Sequence, residues 1–246
     1  MYERRAVLFL DILGFKKLID EHQEDLILSV LEMPKELQEK YPFNGKTEMQ
    51  ISAFSDSIVI SEVVKENNVG MNRLVNYAGY VWWKFLAKGV LTRGGVAVGD
   101  LHHKNGILFG PAMNDAYKLE SELAIYPRIV LSRESQQCLF KELNEEYKEN
   151  SLMLAVTLNI MRRDFDGVTY IHTLGVSGVT PPEILPEKEL DPVTQSRSYI
   201  SSEINAAKWG AVDAFLKKER PGELRAKAKH DWLENYLNAT SQGRLS

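Results

Sequence analysis

Two aspartates stand where a carboxylate is costly. Asp11 interrupts the apolar run AVLFLDI, Ala6 to Ile12, which has the pattern of a buried central strand, and Asp56 lies within QISAFSDSIVIS, Gln50 to Ser61. A carboxylate carried into apolar surroundings loses its hydration, so each of these acids needs a cation, strong donors or solvent. If the first strand lies beside a hairpin with Asp56 at its tip, both acids meet at one sheet end. There they suit one or two Mg²⁺ or Mn²⁺ ions and, through them, a triphosphate. With no cation between them, the two carboxylates repel. The plainer alternative makes Asp11 a cap for the following helix and Asp56 a turn residue. Between strand and helix, Ile12-Leu13-Gly14-Phe15 offers backbone N–H groups at a helix N-terminus, which favour phosphate oxygens. Glycine is common in such turns without any ligand.

The elements that must position these residues follow from periodicity. After Gly14, the apolar positions Phe15, Leu18, Ile19, Leu26, Ile27, Val30 and Leu31 recur at helical spacing until Pro34. Gln50 to Ser61 reads as a hairpin or bent strand pair, Met71 to Lys88 as a helix, and Leu91 to Val98 with Ile107 to Phe109 as strands joined by a polar connection. A helix over Ala112 to Leu123, a strand at Arg128 to Leu131 and a helix over Arg133 to Tyr147 follow. Leu152 to Arg162 and Val168 to Leu174 form a closing strand pair. The order predicts an α+β, ferredoxin-like domain over residues 1–175, with helices on one face of a mainly antiparallel sheet. Pro181, Pro182, Pro186 and Pro192 then mark a linker, and residues 176–246 read as that linker plus two C-terminal helices, Ser202 to Glu219 and Glu223 to Asn238.

Four blocks in this order resemble the class III nucleotidyl (adenylate/guanylate) cyclases: FLDILGF at Phe9 to Phe15, FSDS at Phe54 to Ser57, TRGGVAVGD at Thr92 to Asp100, and FGPAMNDAYKLES at Phe109 to Ser121. The resemblance spans about Ala6 to Leu174. It implies the family's catalytic fold and two divalent cations, Mn²⁺ or Mg²⁺, held by Asp11 and Asp56 with Ile12 as a further metal ligand. One ion activates the ribose 3′-hydroxyl and the other holds the phosphates. It also implies that Asn114 orients the ribose and that Lys118, standing where the family has an arginine, supports the transition state, both from the opposite subunit of a homodimer with composite sites. The blocks RGGVAVGDLHH, FGPAMNDAYKLES and PRIVLS, with HDWLENYLN at His230 to Asn238, are most similar to the bacterial pyrimidine (uridylate/cytidylate) cyclases of Pycsar anti-phage defence. That resemblance implies UTP or CTP as substrate, with UTP favoured, and a cyclic nucleotide acting on a separate effector.

The departures from the family pattern are informative. Ser52 and Ile107 stand where purine cyclases carry base-reading residues, and a small hydroxyl and an aliphatic chain do not reproduce those purine contacts. Lys118 keeps the arginine's charge without its bidentate fork, so Arg93, Arg128 and Arg163 are candidates to supplement it at the phosphates. The substrate-binding set is therefore Ile12, Leu13, Gly14, Phe15, Ser52, Arg93 and Arg163. Alternatives are a non-catalytic cyclase-like binding module and a purine cyclase with an altered pocket.

Other features read more plainly. His102-His103 is expected to face water, Tyr77, Trp82 and Trp83 to pack in a core or dimer contact, and Glu142 to Lys148 to be a solvated helix face. Of 246 residues 44% are hydrophobic and 26% charged, which suits a globular chain with a substantial core. A net charge of −4 gives no basic footprint for nucleic acid. The apolar runs are far shorter than the roughly 20 residues of a membrane span. The single cysteine, Cys138, and the absence of a leader pattern at Met1 to Arg5 lead to the expectation of a cytoplasmic protein with no export signal.

Overall fold

The computed structural model describes residues 1–40, 47–66, 69–149, 154, 158–173, 210, 212, 214, 215, 217 and 221–241. The predicted linker and most of the helix expected over Ser202 to Glu219 lie outside them. Strand β1, Glu3–Leu13, is an interior strand of the sheet. Its apolar run is continuous because both of its faces are covered. Leu8, Leu10 and Ile12 enter one core, while Val7 and Phe9 enter another. Helices α1, Phe15–Asp20, and α2, Glu24–Lys40, follow, and Pro34 lies inside α2 instead of ending it.

Strands β2, Gln50–Phe54, and β3, Ser57–Val63, form the hairpin expected from the sequence, and Ser55 in the two-residue turn takes a positive φ of 54°. Next come α3, Gly70–Ala87; β4, Leu91–Lys104; and β5, Ile107–Phe109, which folds back on β4 across Asn105-Gly106. Strand β4 thus continues through most of the segment expected to be a polar connection. Helix α4, Pro111–Lys118, passes directly into a π-helical turn at Leu119–Leu123. Strand β6, Ile129–Leu131; α5, Arg133–Glu146; β7, Met161–Arg163; β8, Thr169–Ile171; and α6, Leu224–Ser241, complete the described elements.

The sheet order is β2-β3-β1-β4-β6-β8-β7, with β5 attached to β4. Only β4 and β6 run parallel among the pairings described; the others are antiparallel. The α+β class stands, but helices cover both faces and not one. The larger core receives α3 through Tyr77, Val81, Trp82, Trp83 and Phe85, so these aromatics are core residues. The smaller core seats Ala112 and Ala116 of α4 against Val7, Phe9, Val59, Ala97 and Leu101.

Two expectations fail for physical reasons. Among the described residues Leu154 and Leu158 are helical and strand structure begins at Met161, so the strand expected from Leu152 does not run unbroken. A short apolar run does not by itself distinguish a helical turn from a strand. Glu142 is buried, not solvated, because its carboxylate caps another helix, accepting from Met71 N at 3.0 Å and Asn72 N at 2.9 Å.

Helix α6 shares the larger core. Leu233, Tyr236 and Leu237 are buried there, Tyr236 stands edge-on to Trp82, and its hydroxyl lies 2.7 Å from His172 Nδ1. Trp232 stacks on Tyr126 and donates from Nε1 to Asp164 at 2.8 Å. Asp164 and Asp166 in turn hold the fully buried Arg128. No helix among the described residues is long and apolar enough to cross a membrane.

Gly95 lets α4 approach β4. A Cβ there would fall within the contact radius of the Ala116 carbonyl oxygen and of Leu119 Cβ. Gly95→Ala is expected to lower unfolding free energy by about 1–3 kcal/mol or more, through overpacking, as read from urea titration.

Burial pushes the Glu142 carboxyl up to about 7, against the opposing pull of the Asn72 and Met71 N–H groups. Its folded pKa therefore lies above the unfolded value of 4.5. Its stabilising contribution is complete below about pH 4.5 and is lost as pH rises through 7. Glu142→Gln should remove a fall of about 3 kcal/mol between pH 4.5 and 8, seen as the difference between the wild-type and variant stability profiles.

Candidate functional site

Antiparallel pairing aligns Asp11 of β1 with Ser57 of β3 on one side and with Arg93 of β4 on the other. Ile12 N donates to the Asp56 carbonyl oxygen at 2.8 Å, which fastens the hairpin tip to the end of β1. The two aspartates expected to converge therefore occupy one sheet corner, beside the turn into α1. Gly14 takes φ 79° at that turn, a conformation that glycine adopts without the strain a side chain would bring. Of the N–H groups predicted for phosphate, the one on Ile12 is already spent on Asp56. Those of Phe15, Lys16 and Lys17, which open α1, lack intrahelical acceptors, whereas Leu18 N already donates to Gly14 O.

Asp11 is neutralised, so the picture of two bare, repelling carboxylates is corrected. Arg93 Nε donates to Asp11 Oδ2 at 3.0 Å, and Arg93 Nη2 lies 2.7 Å from Glu120 Oε1. The Asp56 carboxylate has a weaker contact, the Ser57 hydroxyl at 3.4 Å. Glu120 was not singled out from the sequence. It is 3% exposed, and its carboxyl is pushed up to about 6 by burial, with Asp11 and Asp56 reinforcing the shift and Arg93 opposing it. Its signal lies in KLES, where the π-helical turn after α4 rotates Glu120 toward the sheet. Lys229 of α6 also enters this field: burial and Arg93 lower its ammonium's pKa while Asp11 raises it. Nothing in the sequence pairs residue 229 with residue 11.

Arg93 is thus paired with two acids, and the buried Arg128 is enclosed by Asp164 and Asp166. Arg163 is exposed on β7, with Nε donating to Gly167 O at 3.0 Å. Asn114 and Lys118 are exposed on α4, whose opposite side buries Ala112 and Ala116 against the sheet. These two side chains therefore point away from their own sheet.

Ser52 is half-buried, and its hydroxyl lies 2.9 Å from His103 Nε2; Ile107 is exposed on β5. His103 does not face water as expected. It is 5% exposed and its Nδ1 lies 2.8 Å from Ser61 Oγ. Burial first, then Arg5 and His102, lower its pKa to about 4, so the ring is neutral near pH 7.

Asp11 and Asp56 form an all-oxygen donor set, which fits Mg²⁺ or Mn²⁺ better than softer metals. On α6, His230, Asp231 and Glu234 offer ligand atoms within 4.8 Å of one another, a second cation-compatible group that was not anticipated.

No family model and no curated protein matches the chain. Among solved structures, it is similar to the catalytic core of a rhodopsin-guanylyl cyclase with converted specificity in complex with ATPalphaS: 17% identity, TM-score 0.46, covering 56% of this chain and 82% of that one. It is similar to the guanylate cyclase domain of RhGC from Catenaria anguillulae in complex with GTP, at 17% identity and TM-score 0.44, covering 56% and 82%. It is also similar to a class III adenylyl cyclase-like ATP-binding protein from Pseudomonas aeruginosa, at 14% identity and TM-score 0.42, covering 89% of this chain and 44% of that one.

Because Asp11 is paired with Arg93 while Asp56 is not, the isosteric amides should differ. In chelator, Asp11→Asn is expected to cost about 1 kcal/mol and Asp56→Asn less than about 0.5 kcal/mol, measured by thermal and urea unfolding.

Proposed function

We propose that the chain is a divalent-metal-dependent nucleotidyl cyclase that converts a pyrimidine nucleoside triphosphate, UTP in preference to CTP, to its 3′,5′-cyclic monophosphate and pyrophosphate. The observation that carries this reading is the meeting of Asp11 and Asp56 at one sheet corner through the Ile12–Asp56 hydrogen bond. Bound there, Mg²⁺ or Mn²⁺ would lower the pKa of the ribose 3′-hydroxyl and neutralise phosphate charge. The chain's residues supply position. Arg93 holds Asp11 in place, Glu120 braces Arg93, and the first turn of α1 directs N–H groups toward the phosphates. The 3′-oxygen attacks the α-phosphate and pyrophosphate leaves.

Asn114 and Lys118 are exposed on the outer side of α4, away from their own sheet, which supports their use by a second copy in a homodimer with two composite sites. The exposed aromatics Phe54, Phe109 and Tyr117 give that surface apolar area. In the composite site, Asn114 would orient the ribose, and Lys118, with Arg163, would supply positive charge as the leaving group departs. Ser52 and Ile107 support a pyrimidine over a purine, because neither offers a charged contact to a purine edge. The sequence blocks shared with Pycsar cyclases support a second-messenger role in anti-phage defence, acting on a separate effector.

The assignment of Arg93 and Arg128 to acids favours one rival, a nucleotide-binding module without turnover. Metal-dependent pyrophosphate release from UTP, CTP, ATP and GTP, with mass-spectrometric identification of the product, separates the readings. Release from UTP or CTP that stops in Asp11→Asn and in Asp56→Asn is expected. Binding without release supports the module, and preference for ATP or GTP refutes the pyrimidine assignment.

Mixing inactive Asp56→Asn and Asn114→Ala chains should restore about a quarter of wild-type activity, since half of randomly exchanged dimers hold one intact site. Absence of rescue, with exchange proven by tag-based pull-down, would assign both residues to one protomer's site.

A further inference from the structure

A buried chain of hydrogen bonds runs from Arg5 to Ser52, and its direction is fixed at one end. Arg5 Nε donates to Ser61 Oγ at 2.9 Å, and a guanidinium has no acceptor to offer. The Arg5 site is held further by Glu3 and by the Glu48 and Ser61 carbonyl oxygens. Ser61 is fully buried, and His103 Nδ1, at 2.8 Å, is the acceptor available to its hydroxyl proton among the described residues. An unpaired buried hydroxyl proton costs more than a made bond returns, so Ser61 donates to Nδ1. A neutral imidazole with an accepting Nδ1 carries its proton on Nε2. Nε2–H then donates to Ser52 Oγ, 2.9 Å away, leaving the Ser52 hydroxyl proton to point outward.

The position of Ser52 gives that proton a use. Ser52 pairs with Val59, which pairs with Phe9, and cross-strand partners share a face. Asp11 lies two residues beyond Phe9 on β1 and so shares that face. Two strand spacings and two residue rises separate Ser52 from Asp11 by roughly 11–12 Å, a distance suited to a nucleotide with its base at Ser52 and its α-phosphate at Asp11.

We propose that the Arg5–Ser61–His103 chain fixes Ser52 as a hydrogen-bond donor toward the bound base, so that the site selects the 4-oxo pyrimidine over the 4-amino one. This rests on the cyclase reading for the presence of a base, but the polarity of the chain does not. A uracil oxygen accepts the outward proton; a cytosine amino group could engage only the second lone pair of Ser52 Oγ and leaves the outward proton without an acceptor on the base. His103, Ser61 and Arg5 are positioning residues, because each acts through Ser52.

The first test is the ¹⁵N spectrum of the His103 ring in the full wild-type chain at pH 7, assigned by its loss in His103→Asn. A proton on Nε2 and a bare Nδ1 are expected; a proton on Nδ1, or exchange between tautomers, overturns the proposal without any reference to activity. The second test is the ratio of kcat/KM for UTP to that for CTP. It should favour UTP on the order of tenfold, the effect of one hydrogen bond, and fall toward unity in Ser52→Ala and in Arg5→Met, which releases the chain's direction. An Nε2–H tautomer with a ratio unchanged in Ser52→Ala overturns the base-reading role. No turnover with any triphosphate refutes the cyclase reading, and the base-reading half falls with it, while the tautomer result still decides the polarity of the chain.

Discussion

The site depends on one carboxylate being held at the end of a strand buried on both faces. Asp11 cannot be left bare there, and the fold answers with Arg93, delivered from β4 by strict cross-strand register. A second acid, the buried Glu120, lies 2.7 Å from the other side of that cation. The resulting Asp11–Arg93–Glu120 bridge ties the central strand, its neighbour and the turn after α4 into one electrostatic unit. A buried ion network contributes little net stability once desolvation is counted, but it strongly penalises alternative arrangements that separate its members. Its value here is in geometry: it fixes the carboxylate that faces the Asp56 hairpin tip.

Much of this was legible in the sequence where local pattern and burial agree. The unbroken run Ala6 to Leu10 marks a central strand because each successive side chain enters one core or the other. The hairpin at Ser55-Asp56 follows from two β-rich stretches around a polar turn, and α3 from its broad apolar face. Adjacency of Asp11 and Asp56 then follows from topology, since the first strand and the hairpin are neighbours.

What escaped the sequence reading depends on contacts between distant segments. Glu142 looks like a surface acid within a charged helix, and only the arrival of the α3 N-terminus makes it a buried cap. His103 lies in a polar-looking stretch, yet β4 continues through it and carries the ring between Ser52 and Ser61. Arg93 and Arg128 read as free cations suited to phosphate because their acidic partners lie far along the chain or in an unanticipated turn. In each case residue type was informative about polarity but silent about who would satisfy it.

The packing of α6 has a consequence for the order in which the molecule is made. Lys229 enters the field of Asp11, and Trp232 braces the Asp164 that encloses Arg128, so residues of β1 and α6 share one neighbourhood although the intervening chain separates them. Contacts of such long sequence separation carry a large loop-closure cost and form late. A ribosome-bound chain still lacking α6 would already contain every described strand of the sheet and both aspartates, but with Tyr126, Tyr170 and Trp82 stripped of the rings that cover them. The contribution of Lys229 to the field at the Asp11 corner is therefore added only when synthesis has passed α6.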